Sequence, residues 1–338
     1  MTPFLIFMGI PPVYAVPNEV NNILATSVSG SLTHWFKDTL DYKMGLMIVS
    51  GGLVGTLLGI TTFTYFSEMG KISVIISLLY MYLLAIVGTL MLIEGIREKT
   101  RKAKNISIKK KFHDHNWLQG LPFRIRFHKS KLYESAITPI LLGLVVGFVA
   151  AMMGIGGAFL MVPAMIYIVG MPVKLIPGTS LFVTIFISAI VTVLHAFNYG
   201  SIDLYLVFPL ILGSIVGVQL GQKIGQFLYS TELKSLFAML LLCVAVAIGY
   251  DSFFRDKTSS FNGSIIMKTD LSAFAEFTIK MSDELPILYG AFSIILAISL
   301  GVLAAAGRKF VSPIARKLLS EYKKKDTKQK DEVKFPEK

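Results

Sequence analysis

The chain has 338 residues, 54% of them hydrophobic and 16% charged, with a mean hydropathy of +0.65. Soluble domains carry about 45–50% apolar and about 25% charged residues, so a water-soluble globular fold is excluded. The net charge of +12 does not indicate a nucleic-acid partner, because the basic residues cluster beside apolar runs instead of covering a folded surface.

A helix needs about 20 apolar residues to cross the hydrocarbon core. Runs of that order fall at 44 to 66, 72 to 93, 135 to 155, 175 to 198, 203 to 222, 235 to 250 and 286 to 306, with shorter apolar pieces at 1 to 16 and 158 to 170. The pattern predicts an all-α polytopic membrane protein of about 8–10 membrane segments. Its parts read as a first transmembrane repeat (1–96, N-terminally incomplete), a basic cytoplasmic loop (97–134), a second repeat (135–250), an external loop (251–285), an extra helix (286–306) and a basic cytoplasmic tail (307–338).

The opening segment, MTPFLIFMGIPPVYAVP, lacks the basic start of a signal peptide. Further on, His34 stands near the end of an apolar stretch, and Asp41 precedes a long one, where an N-cap is the expected role. Residues 97 to 131 hold twelve Lys/Arg against Glu98 and Asp114, and 307 to 338 hold eleven against five acids. Both segments are therefore expected on the cytoplasmic side and beside anionic headgroups. The stretch 251 to 285, with four Lys/Arg and six acids, is expected outside. An odd number of crossings must then separate 132 from 250, and five apolar pieces are there to supply it. Within the basic loop, His113-Asp114-His115 is a poor metal set because no further ligands accompany it, and LPFRIRFHKSKLY reads as an interfacial segment.

Asp41, Gly51, Gly55 and Gly59 recur as Asp203, Gly213, Gly217 and Gly221 at an offset of 162. Pro3, Pro12 and Pro17 match Pro163, Pro172 and Pro177 at 160, and His34 matches His195 at 161. Helix packing accounts for glycines at four-residue spacing but not for matched Pro, Asp and His. A repeat with an odd number of crossings inverts its own orientation, an arrangement that places one site between two gates. The fold expected is thus two inverted-topology helical repeats with Gly-broken helices.

Gly154-Ile155-Gly156-Gly157 stands between two apolar pieces, and glycine at this density stops a helix. Broken backbone at membrane depth survives only where protein buries it or a polar cavity meets it, so Gly154, Gly156 and Gly157 are candidate binding residues. The amides and positive dipole end of the following helix favour an anion. Pro177-Gly178-Thr179-Ser180 reads as a second helix start, and its hydroxyls can donate to an oxyanion. His34 and His195 complete the candidate set as polar or protonatable groups. Cys243 lies in apolar surroundings and is expected to be buried and inert.

At these residues the chain resembles the sulfite exporter TauE/SafE family of membrane permeases. The resemblance rests on GLVVGFVAAMMGIGGAFLMVPAMIYIVGMP, GTSLF and the stretch from His195 to Asp203, and in the first half on ATSVSGSLTHW and DYKMGLMIVSGGLVGTLLG. It covers about 1 to 95 and 135 to 250 and implies export of sulfite or an organic sulfonate across the cell inner membrane. The chain departs from the family pattern at Ala158, where a glycine is usual. Its start also differs, since Met1-Thr2-Pro3 resembles the residues just after the first Gly-rich motif. The internal repeat likewise lacks a counterpart of 135 to 160, so the expectation is a misplaced start codon or a truncated gene. The rival readings are a non-transporting scaffold or remnant of such a permease and a membrane-embedded enzyme. No nucleophile, acid/base pair or metal set supports the enzyme. No cofactor is expected. The expected partners are a small anionic substrate and the bilayer, with a homo-oligomer left open.

Overall fold

The computed structural model describes residues 2–8, 10–103, 124–127, 129–130, 132–172, 174–199, 202–225, 230–254 and 287–304. The His113-Asp114-His115 motif, the stretch from 255 on that is expected outside and the tail expected in the cytoplasm lie beyond the described residues.

Ten helices and one hairpin occur among the described residues, in the order α1 (Thr2–Phe7), α2 (Pro12–Trp35), α3 (Tyr42–Glu68), α4 (Ile72–Ala103), β1 (Arg124–Phe127), β2 (Leu132–Ser135), α5 (Ile137–Met153), α6 (Ala158–Tyr167), α7 (Ile176–Tyr199), α8 (Leu204–Gly225), α9 (Ser230–Phe254) and α10 (Ile287–Ala304). Among the described residues, four helices are long and apolar enough to cross a membrane: α3, α4 over Ile72–Arg97, α7 and α10. Shorter apolar helices lie at Ile137–Met153, Leu204–Val218 and Ala238–Tyr250. Large apolar side chains such as Leu53, Leu57, Ile86, Leu90, Val216, Met239, Val246 and Leu303 point away from the protein. On a protein of this composition, such a belt is the surface that lipid covers.

Helix starts follow local chemistry. Asp41 caps α3, its Oδ1 accepting the Met44 N–H at 3.3 Å, and its Oδ2 accepts the Ser130 N–H at 3.1 Å and the Ser130 hydroxyl. Pro177 sits in the first turn of α7, as expected of a proline near a helix start.

Packing is densest where glycines remove side chains from between helices. α3 lies on α5: a Cβ on Gly51 would stand 1.9 Å from the Ile140 carbonyl oxygen, and one on Gly55 2.0 Å from that of Leu144. From the other side, a Cβ on Gly143 would meet the Ile48 carbonyl oxygen at 1.9 Å and one on Gly147 that of Gly52 at 2.2 Å. On α8, by contrast, Gly213 and Gly217 have nothing within 4 Å of a built Cβ.

Around this pair, α4 packs on α9, and α2 packs on α7, with α7 also against α3 and α2 also against α8. α2 is enclosed on nearly every side, with Val16, Val20, Leu24 and Ala25 all at 0% exposure. It runs antiparallel to α7: Gly30 faces Leu181, Gly178 faces His34, and Asn18 at the other end meets Asp203 just beyond α7.

One element adds to the expected helices, and one expectation needs correction. The segment around LPFRIRFHKSKLY contains an antiparallel hairpin, with Arg124 opposite Ser135 and Phe127 opposite Leu132. Its alternating basic and apolar residues have the two-residue period of a strand. Cys243 is exposed on α9 instead of buried. An apolar neighbourhood in a membrane protein signals lipid as readily as protein core, so the sequence context did not separate the two.

Candidate functional site

The helix break falls where the glycines predicted it. Gly154, Gly156 and Gly157 have φ of 70°, 66° and 74°, a left-handed conformation that costs other residues about 1–2 kcal/mol. Gly154 ends α5 with its N–H on the Ala150 carbonyl at 2.9 Å, and Gly157 precedes α6. The break is lodged against α2. A Cβ on Gly154 would reach the Val16 carbonyl oxygen at 2.9 Å, and one on Gly156 the Ile23 Cγ2 at 2.4 Å. From α4 the Tyr80 hydroxyl donates to the Met153 carbonyl, and Thr2 Oγ1 donates to that of Gly154 at 3.4 Å.

His195 is 0% exposed on α7 and joins this region. Its Nε2 lies 3.1 Å from the Ala151 carbonyl oxygen, an acceptor only, so Nε2 carries the hydrogen. In the neutral ring Nδ1 is then an acceptor, and it has no hydrogen-bond partner among the described residues. Phe63 meets the imidazole edge-on with centroids 4.8 Å apart.

His195 is one of several buried polar groups without partners. Ser188 Oγ and Thr192 Oγ1 on α7 have none among the described residues, nor do both amide atoms of Asn21 and Oδ1 of Asn22 on α2. Ser188, Thr192 and His195 are spaced i, i+4, i+7 and share one face of α7. The antiparallel register places Asn21 and Asn22 within about one turn of Ser188 and Thr192. Ile23, which touches Gly156, follows directly. Unpartnered polar groups thus lie near the middle of both α2 and α7, at the depth of the break; Asn21, nine residues from the Gly30 that meets Leu181, stands on the side of α2 turned away from α7. Unpartnered polar groups inside a membrane cost several kcal/mol each, at about 1–3 by mutational scales, unless water or a ligand satisfies them.

The other predicted residues sit elsewhere. Gly178 is pressed against the end of α2, where a Cβ would stand 2.5 Å from the Thr39 carbonyl oxygen and 3.0 Å from His34 Cβ. His34 is half-buried, with Nδ1 2.9 Å from Thr39 Oγ1. The Thr179 hydroxyl donates to the Leu175 carbonyl at 2.9 Å and accepts the Asp41 N–H at 3.1 Å, and Ser180 donates to the Pro177 carbonyl at 3.1 Å. From Thr179 to His195 is about 24 Å along α7. The eight candidates therefore form two groups, one at the break and one at the α2–α7 mouth beside Asp41 and Ser130. A small ion cannot touch both at once.

Sequence reasoning missed Glu19, Asn21, Asn22, Ser188 and Thr192. The signal was present in PNEVNN, four polar residues within six in a segment that folds as an enclosed helix. Among the described residues no group of three or more His, Cys, Asp or Glu side chains could hold a metal ion.

A bundle of membrane-length helices with an interrupted helix and a buried polar layer defines a multi-pass membrane protein of transporter type. The family model for Sulfite exporter TauE/SafE matches residues 1–248, and the chain belongs to that family. It is 25% identical over 249 residues to Probable membrane transporter protein YunE of Bacillus subtilis (strain 168), covering 74% of this chain and 85% of the relative. Probable membrane transporter protein YjnA of the same organism is 26% identical over 243 residues, covering 72% and 87%. Probable membrane transporter protein MJ0441 of Methanocaldococcus jannaschii is 32% identical over 113 residues, covering 32% and 42%. No solved structure matches the chain.

Proposed function

We propose that the chain is a permease that exports a small sulfur-containing anion, sulfite or an organic sulfonate, across the cell inner membrane. The observation that carries this reading is the buried, unpartnered polar layer lying level with the glycine break. Ser188 and Thr192 offer hydrogen-bond donors to an oxyanion. The start of α6 adds backbone amides and the positive end of a helix dipole. Gly154, Gly156 and Gly157 let the chain turn close against α2, and His195 shapes the same layer. Gly178, Thr179, Ser180 and His34 form the mouth through which the ion passes, next to the cytoplasmic hairpin.

The halves are two inverted repeats in this reading. Support comes from paired contacts: α3 packs on α7 as α8 packs on α2, and the backbone N–H of Asp41 bonds Thr179 as that of Asp203 bonds Asn18. Alternating closure of the halves around one midplane layer would expose it to each side in turn.

The test is efflux of sulfite and of methanesulfonate from preloaded proteoliposomes. The expected result is efflux by the wild type and its loss in Gly156→Leu, whose side chain would occupy the space of Ile23. A wild type that moves neither anion overturns the reading.

A further inference from the structure

A carboxyl group lies against the break. Val16 faces Gly154 and Ile23 faces Gly156; being seven residues apart, they share one face of α2. Glu19 stands between them, about 60° round the helix from Val16. It is 4% exposed, and its Oε2 accepts the Asn22 amide N–H at 3.3 Å. The acid and the unpartnered groups of Asn21 and Asn22 thus belong to the same turns of one enclosed helix.

An anion and an ionised carboxylate cannot share such a layer cheaply. Like charges at short range repel strongly where water is scarce, and one of the two must be neutralised. A protonated carboxyl instead offers the anion an O–H donor. We propose that Glu19 is the proton-coupling group of this permease: the anion occupies the layer only while Glu19 is protonated, and one proton crosses with each anion. This inference rests on the anion-permease reading above.

Among the described residues, the other titratable groups around Glu19 are these. α4 brings Tyr80, whose hydroxyl is given to the Met153 carbonyl, and α7 brings His195. Asp203 at the head of α8 holds its N–H on Asn18, and Tyr289 of α10 accepts the N–H of Leu204. α1 and α5 contain no titratable side chain. The α-amino group of the chain also acts on Glu19 electrostatically.

Coupling of this kind makes transport of a monovalent anion electroneutral. The distribution of the anion at equilibrium then follows the pH difference and ignores the membrane potential. For an uncoupled anion, the potential alone shifts that distribution about 50-fold per 100 mV, from about 2.3 kcal/mol of work per charge.

The deciding experiment uses the full chain in proteoliposomes under a clamped potential, with a trapped pH dye and with methanesulfonate or sulfite inside. Methanesulfonate keeps a single negative charge throughout the working range, so luminal pH reports carried protons directly. The wild type is expected to move one proton per methanesulfonate and to show no dependence on potential. Glu19→Gln, the uncharged isostere, is expected to lose proton movement, and its efflux, at whatever rate the amide supports, is expected to acquire the roughly 50-fold response. A short N-terminal extension, which moves the α-amino group away, is expected to leave coupling intact.

A wild type that moves anion without protons overturns the role of Glu19 alone, even where the Gln variant fails to fold. So does proton movement that persists in Glu19→Gln or vanishes on N-terminal extension, or a sodium requirement in place of the pH dependence. A wild type that moves neither anion brings down the permease reading first and this one with it.

Discussion

The side-chain oxygen of Asn18 accepts the backbone N–H of Asp203 at 2.8 Å, tying the buried helix α2 to the first residue ahead of α8. Thr179 does the same for Asp41 ahead of α3, at 3.1 Å. Each bond occupies a donor at a helix start, one of the groups that a helix cannot satisfy from within. Asn18→Leu and Thr179→Val should each lower stability by about 1–3 kcal/mol, the cost of stranding a buried donor. Thr179→Ser should cost less, because the hydroxyl is kept. Thermal unfolding in detergent checks all three, and equal midpoints for Val and Ser at 179 would show that the bond contributes nothing.

The glycines at Gly55 and Gly217 look alike in sequence and should behave oppositely. Alanine at Gly55 places a methyl 2.0 Å from the Leu144 carbonyl oxygen, so α3 and α5 must part. Gly55→Ala is expected to destabilise by about 2 kcal/mol or more, as overpacking does. Gly217→Ala meets nothing within 4 Å and should be neutral or stabilising by up to about 1 kcal/mol through helix propensity. Matched melting curves of the two variants decide the point, and similar losses would contradict the packing described.

Backbone strain and steric space can be separated at Gly170 and Gly156. Both have positive φ, 69° and 66°. A Cβ on Gly170 meets nothing within 4 Å, whereas one on Gly156 meets Ile23 at 2.4 Å. Gly170→Ala should cost only the conformational penalty of about 1–2 kcal/mol and keep efflux. Gly156→Ala should cost more and reduce efflux, and pairing it with Ile23→Ala should restore part of the loss. Failure of that rescue would separate the break from α2.

Glu134 on the hairpin supplies a pH signature. Its Oε2 is buried without a hydrogen-bond partner among the described residues, and burial pushes its pKa from 4.5 up to about 7. The folded chain therefore holds this proton more tightly than the unfolded one. The associated stability is fully present below pH 4.5 and is lost as pH rises through about 7. Glu134→Gln should flatten that decline. Unfolding midpoints between pH 5 and pH 8 test it, on the order of the interval bounded by the two values, and a decline of equal slope in the variant would assign the pH effect to another group.

The break at Gly154 to Gly157 was legible because glycine density speaks for backbone conformation, which is a local property. Asp41 as a cap was legible for the same reason. The polar layer was not, since α2 was read through its apolar stretches and the polar run from Asn18 to Asn22 was passed over. Whether such a run faces water or core depends on which helices surround it, and spacing alone does not encode that. The separation of Thr179 from His195 shows the same limit. Both belong to polar-looking helix positions, but 24 Å of α7, at about 1.5 Å per residue, lies between them.

The hydroxyl of Tyr80 rests on the last carbonyl of α5, at the lip of the break. α4, which carries this residue, forms its main contact with α9 on the outside of the bundle. The outer pair is thereby fastened to the inner hinge through a phenol, much as a door is fastened to its latch. In the proposed permease, rocking of α4 and α9 against the remaining helices would pull on Met153 or release it, so that a lipid-side displacement would become a change in the backbone at the break.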